Sequence, residues 1–274
     1  VSDATAERVR QAADRLIAAQ REHRPGPGVR DLIGTDDLAA AYAVQQRVIG
    51  ARVAAGARPV GRKIGLTSVA VQQQVGVDQP DFGVLLDDMQ FEDGDSVPIG
   101  RLLQPRAEGE IAFVLGADLT DPYLTLEGVA AAVDYASAAI EVVDSRVADW
   151  DIRITDTVAD NASSGVFVLG AERVPLSAFV PREVTMRMTA DGREVSTGTG
   201  AACLGDPLAA LTWLARTAIA FGSPLRAGDV VLSGALGPLA PVTAGQTLTA
   251  RISSLGSVTV TFTAPHPTTQ GDEA

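Results

Sequence analysis

RAEGEIAFVLG, residues 106–116, is the stretch whose reading decides the fold. An apolar run bounded by glycine and charged residues reads as a β-strand. In a strand Glu108 and Glu110 lie at i and i+2 and point to one face, while Gly109, Ile111 and Phe113 point to the other. Two carboxylates side by side in an apolar strand repel each other unless a cation or a proton sits between them. A third carboxylate, Glu141, stands in another apolar segment, AIEVVDSR (139–146). The alanine-rich VAAAVDYASAA between them reads as a helix started by Thr125. A strand-helix-strand excursion of this kind returns the chain beside its starting point, so the three glutamates can converge. The competing reading is chance, because an acidic chain holds many E-x-E pairs. Oxygen-only ligands favour Mg²⁺ or Mn²⁺ over zinc.

Outward from this stretch, short apolar runs broken by glycine and aspartate continue the strand texture: VGRKIGL (60–66), DFGVLLDDM (81–89) and GVFVLG (165–170). Asp206-Pro207 opens a helix that ends before Gly222. The C-terminal part alternates at Val258, Val260 and Phe262, with turns at Ala244-Gly245 and Leu255-Gly256-Ser257. The N-terminal part is helical. Val9, Ala13, Leu16 and Ile17 have helical spacing, Pro25 to Gly28 end that helix, and Thr35 is expected to cap a second one with its stripe at Leu38, Ala41, Tyr42, Val48 and Ile49 and its stop at Gly56. The sequence therefore predicts an α+β protein with a helical region over 1–60, a β-rich catalytic domain over 61–265 and a flexible tail over 266–274.

Composition narrows the function. The 274 residues hold 22 Lys+Arg against 34 Asp+Glu, a formal charge of −12. Such a surface argues against nucleic acid, which needs cations to displace counterions. With 46% hydrophobic and 20% charged residues the chain can bury a core. Its one cysteine, Cys203, cannot form an internal disulfide and reads as a small buried hydrophobe. The first twenty residues lack the apolar block of a signal peptide, and no apolar run approaches the roughly 20 residues of a membrane span, so a cytoplasmic protein is expected. The two histidines are His23 and His266. A Ser-His-Asp triad or a histidine-built metal site is short of parts, which leaves the chemistry to carboxylates and lysines.

Other candidates carry two readings each. Lys63, between Gly61 and Gly65, is either a desolvated cation aimed at an anionic ligand or an edge-strand lysine kept for solubility. Asp78 and Asp81 flank Pro80 in a turn with one Asx cap or serve a site. Asn161, Ser163 and Ser164 form a turn or line a pocket. Ser233 and Gly234 allow close backbone approach to a ligand. No glycine-rich run matches a P-loop or dinucleotide fingerprint.

The segments GRKIGLTSVAVQQQVGVDQPDFGVLLDDM, AEGEIAFVLG, AIEVVDSRVADWDIRITDTVADNASSGVFVLG, GAACLGDPLAALTWLA and GDVVLSGALGP, in order from about residue 30 to 263, resemble the 2-keto-4-pentenoate (2-hydroxypenta-2,4-dienoate) hydratase family of the fumarylacetoacetate-hydrolase-like superfamily. The resemblance implies a mixed β-roll core, a divalent metal (Mg²⁺ or Mn²⁺) on Glu108, Glu110 and Glu141, and catalytic roles for Lys63 and Asp81. It also implies substrate contacts from the Leu66 backbone N–H, Ser163 and Ser233, and a homo-oligomer, a pentamer or decamer. The implied reaction adds water to a 2-hydroxy-2,4-dienoate to give a 4-hydroxy-2-oxoalkanoate in aromatic or steroid catabolism, with association with a downstream aldolase. The alternatives are 4-oxalocrotonate decarboxylase, 2-oxohept-4-ene-1,7-dioate hydratase, and a noncatalytic partner subunit. Asp81 ahead of an aromatic residue is closer to the hydratases than to the decarboxylases. Gly109 and Cys203 depart from the family's usual alanine and aliphatic residue.

Overall fold

A computed structural model describes residues 3–68, 72 and 79–264. Asp78, His266 and the expected tail lie outside these residues. Strands β1 (Pro59–Gly65), β2 (Asp81–Leu86) and β3 (Gln90–Glu92) precede β4 (Ser96–Pro98) and the long β5 (Arg106–Leu115) and β6 (Val133–Val143). There follow β7 (Ser164–Leu169), β8 (Thr185–Ala190), β9 (Arg193–Thr199), β10 (Val230–Leu232), β11 (Ala240–Pro241), β12 (Thr247–Ile252) and β13 (Gly256–Thr263). They form two mixed sheets, one ordered β2-β1-β10-β5-β6-β7-β3 with β11 also on β5, the other β4-β13-β12-β8-β9.

The strand expected at 106–116 is β5, and it pairs antiparallel with β6. The alanine-rich segment is a correction. Only Leu126–Ala131 is helical (α4), with the Thr125 hydroxyl accepting from Gly128 N as expected of its cap. Val133–Val143 is strand. Ala136, Ala138 and Ala139 are fully buried, and β6 is paired on both edges, by β5 and β7. Alanine's helix propensity yields here to a ladder that satisfies both rows of backbone groups. The glutamates therefore meet across an antiparallel pair and not through a helical crossover.

The sheets meet face to face beneath Gly109. A Cβ at this position would lie 3.0 Å from Cγ and Sδ of Met186 on β8, so the departure from alanine matches a thioether packed onto the bare backbone.

In the N-terminal region α1 (Asp3–Arg21) buries Val9, Ala12, Ala13, Leu16 and Ala19. A short α2 (Arg30–Ile33) follows, ended by Gly34 in left-handed backbone, and then α3 (Leu38–Ala54). Thr35 does not cap α3. Asp37 does, accepting from Ala40 N at 2.9 Å, because α2 and Gly34 occupy the preceding residues and the carboxylate adds charge at the helix start. Gly56 follows the helix end at φ +109, as its stop role requires. These helices share one apolar cluster with β1, β5 and β6. Tyr42 stacks on Phe82 of β2 at 4.7 Å.

Between β6 and β7 stands α5 (Ile154–Ala159), all six of its residues buried. Asp156 accepts from Val29 N, Arg30 N and the Arg30 guanidinium, and the Thr155 hydroxyl donates to Gly34 O. The N-terminal region thus fixes α5 in place. The helix α6 (Pro207–Ala220) begins at Asp206 as expected. No described helix is long and apolar enough to cross a membrane.

Candidate active site

Register places the first wall. Glu108 on β5 is the direct partner of Glu141 on β6, and Glu110 lies two residues along on the same face. One oxygen from each falls within 4.8 Å of the others, and none of the three residues is more than 9% exposed. Gly234, just past β10, donates its N–H to Glu110 Oε2 at 2.8 Å. It does so at φ +108, where a Cβ would strike Thr67 at 2.3 Å, so only glycine serves there.

Lys63 occupies β1 between β2 and β10, which removes the edge-strand explanation. Its Nζ donates to Ala162 O at 2.9 Å and lies 3.2 Å from Glu141 Oε1. The latter contact is a charge pairing out of line for a hydrogen bond, since neither Glu141 oxygen has a hydrogen-bond donor. Burial works against the ammonium, but Glu141, Asp81, Glu108 and Glu110 outweigh it and hold its pKa above the ordinary lysine value. Burial, then Glu141, pushes Glu108 up to about 8. Burial, then Glu141 and Glu108, raises Glu110 well above the carboxylate range. One ammonium does not neutralise this group. Among the described residues, Glu110 Oε1 and both Glu141 oxygens are buried with no donor, and an all-oxygen set of this kind fits a hard divalent cation.

The second wall is assembled from turns. Asp81 opens β2 opposite Gly65, where a Cβ would lie 2.2 Å from Asp81 Oδ1. The Thr157 hydroxyl on α5 donates to Asp81 Oδ2 at 3.3 Å and lies 3.3 Å from Ser163 Oγ. Asp81 Oδ1 is buried and has no hydrogen-bond partner among the described residues. Burial raises the Asp81 pKa to about 6, with Lys63 pulling the other way.

Asn161, Ala162 and Ser163 all have φ between 51° and 55°, three consecutive residues in the left-handed region. The surroundings over-determine this turn. The Asn161 amide spans β2, accepting from Val84 N at 2.7 Å and donating to Val84 O at 2.9 Å. Ser164 Oγ donates to Asn161 O. Arg146 donates from Nε to Asp160 Oδ1 and from its other guanidinium nitrogens to Asp160 O and Ser164 O. The turn aims Ala162 O at Lys63 and Ser163 Oγ at Thr157.

Ser163 thus forms a turn and turns its hydroxyl toward Thr157 beside Asp81. Leu66 follows β1 in left-handed backbone, and its carbonyl accepts from the Gln72 side chain at 2.8 Å. Ser233 is fully buried at the end of β10, its hydroxyl 3.4 Å from Gly234 O. Cys203 donates to Ser233 O, and burial raises its thiol pKa, which suits an inert packing residue. Sequence reasoning missed Thr157, the Ala162 carbonyl and Gln45, whose amide donates to Phe82 O and Val158 O. The run of small polar residues in TDTVADNASSG marks a turn without singling out Thr157 or Ala162, and Gln45 lies outside it.

The paired sheets and the buried carboxylate cluster define the class: the chain belongs to the fumarylacetoacetate (FAA) hydrolase family, whose C-terminal description matches residues 58–263. Within it, the chain is 54% identical to a TodF product hydratase of Pseudomonas putida, covering 93% of this chain and 95% of that one. It is 53% identical to a 2-keto-4-pentenoate hydratase of Burkholderia vietnamiensis, over 92% and 96%. Among solved structures, 4-oxalocrotonate decarboxylase from Pseudomonas putida G7, complexed with magnesium and adipate, superposes with a TM-score of 0.89 at 34% identity, over 94% of this chain and 98% of that one.

Proposed function

We propose that the protein is a hydro-lyase that adds water to 2-hydroxypenta-2,4-dienoate, or a close alkyl homologue, giving a 4-hydroxy-2-oxoalkanoate. The carrying observation is a buried trio of carboxylates, with oxygens lacking donors, facing a buried Lys63 and Asp81 in a chain more than half identical to a hydratase. Glu108, Glu110 and Glu141 would hold a divalent cation of the Mg²⁺ or Mn²⁺ class, which supplies Lewis-acid stabilisation of negative charge on a 2-oxo acid.

Water does not add readily to an electron-rich dienol. Loss of the 2-hydroxyl proton and protonation at carbon 5 first give the conjugated 2-oxo-3-enoate, in which carbon 4 is electrophilic. Asp81, through Oδ1, accepts a proton from the water whose oxygen bonds to carbon 4, and the enolate this leaves across carbons 2 and 3 takes up a proton at carbon 3 to give the 4-hydroxy-2-oxoalkanoate. Lys63, held by Ala162 O, pairs with the anionic end of the substrate and balances the charge that develops there. The Leu66 N–H and the hydroxyls of Ser163 and Ser233 orient the substrate. The assignment also includes a homo-oligomer and association with a downstream aldolase, which sedimentation with and without that partner tests.

Product analysis by mass spectrometry is the direct test. Hydration retains every carbon and adds one water, and it stops when a chelator removes the metal. Release of CO₂ would identify a decarboxylase, and full turnover in chelator would remove the metal from the reaction.

A further inference from the structure

Thr157 is a buried hydroxyl at the site with no part in the reaction as drawn. It is 4% exposed and sits on α5, the helix that Asp156 and Thr155 fasten to Val29–Gly34. Its Oγ1 lies 3.3 Å from Asp81 Oδ2 and 3.3 Å from Ser163 Oγ.

We propose that Thr157 is a positioning residue that holds Asp81 by one oxygen and so leaves Oδ1 as the proton-accepting atom. The assignment rests on the reading of Asp81 as the base. A threonine hydroxyl has a single proton and an ionised carboxylate only accepts, so that proton goes to Asp81 Oδ2. Ser163 must then be the donor in its contact with Thr157, which leaves its oxygen free to accept from a substrate hydroxyl. The result is a directed chain from Ser163 to Thr157 to Asp81, ending on the oxygen that does not face Gly65. Oδ1, over the bare backbone of Gly65, is left without a donor among the described residues. When Oδ1 takes up a proton, Oδ2 keeps a lone pair for Thr157, so the hydrogen bond persists through turnover. Without this bond the carboxylate is free to turn, and each oxygen spends part of its time away from the attacking water.

A threonine can also serve by its methyl group, and two variants separate the roles. Thr157→Val keeps the bulk and removes the hydroxyl, and Thr157→Ser does the reverse. Steady-state hydration is measured at saturating Mg²⁺, with thermal denaturation as a check on folding and Thr157→Ala in place of valine if the latter does not fold. The expected result is a roughly ten- to hundredfold fall in kcat for Thr157→Val with KM within about threefold, and kcat within about threefold of wild type for Thr157→Ser. Wild-type kcat in Thr157→Val, a loss confined to KM, or a serine variant as slow as the valine variant would each overturn the proposal. Asp81→Asn is run alongside. If it keeps wild-type kcat, the base assignment itself fails. If it is inactive while Thr157→Val is unimpaired, only the positioning role fails.

Discussion

Glu108, Glu110 and Glu141 stand on two long neighbouring strands, whereas Asp81, Thr157 and Ser163 come from a strand end, a short helix and a left-handed turn. The first wall is positioned chiefly by the β5–β6 ladder, whose register puts Glu108 against Glu141, with Glu110 held in addition by the Gly234 N–H. The second wall depends on individual polar contacts: the Asn161 amide on Val84, Arg146 on Asp160, and Asp156 on Val29 and Arg30. A wall set by a ladder tolerates loss of a functional group without losing its shape. A wall set by single contacts should lose function through residues that never touch substrate.

The largest effect is expected where the ladder wall loses its chemistry. Glu108→Gln keeps the size and the strand, so melting temperature should stay near wild type while turnover, followed by dienoate absorbance, falls by more than about a hundredfold. Loss of groups one shell further out already costs 10- to 100-fold in metal sites. A wild-type rate would show that this carboxylate holds no metal.

Gly65→Ala is the corresponding break in the second wall. The new Cβ would lie 2.2 Å from Asp81 Oδ1, so the carboxylate must move while the glutamate trio does not. We expect kcat to fall roughly ten- to hundredfold, with Mg²⁺ affinity, measured by calorimetry, unchanged within about threefold. An equal loss of both would mean that the two walls are not independent.

This division also explains how much could be read from the chain. Glu108 and Glu110 follow from strand alternation, and Glu141 from its apolar surroundings, because charge in a buried strand is conspicuous in one dimension. Their convergence was legible even though the connection was not: the alanines of β6 carry helix propensity, and only pairing on both edges makes them strand. Lys63 and Asp81 were visible as charges among glycine and apolar residues, but without the sheet order an edge strand was equally open for Lys63. Thr157 left no such trace. Its role depends on α5, which is placed by contacts more than a hundred residues away in the chain, and a threonine in a polar run looks like any turn residue. The left-handed Ala162 is invisible for the same reason, since nothing in an alanine announces positive φ.

Acid should weaken the second wall in a defined direction. Burial raises Asp81 to about 6, so below that pH the carboxyl carries a proton and cannot accept one from water. A dication on the neighbouring glutamates draws this value down, so at saturating metal kcat should fall about tenfold per pH unit along an acid limb at or below this point and level off above it. A limb that persists in a weakly active Asp81→Asn variant would assign it to another group.

Asn161→Ala gives the smallest catalytic effect and the sharpest contrast, because it touches neither substrate nor metal ligands. Truncation strips Val84 N and Val84 O of the partners they have in the amide, and each buried group left unsatisfied costs about 1–3 kcal/mol. It also replaces a residue tolerant of left-handed backbone with one that is less so. The sum corresponds to a melting temperature lower by several degrees for a chain of this length. Ala162 O then loses its fixed aim at Lys63, and Ser163 its aim at Thr157, so kcat should fall a few-fold. Glu108 and Glu141 remain paired through the β5–β6 ladder, and the turn reaches β6 only beyond Glu141, where Val143 pairs with Ser164 and Asp144 N donates to Ser163 O, so Mg²⁺ affinity at a temperature where the variant is folded should match wild type. A variant that loses metal binding together with the turn would show that the ladder alone does not hold the carboxylates.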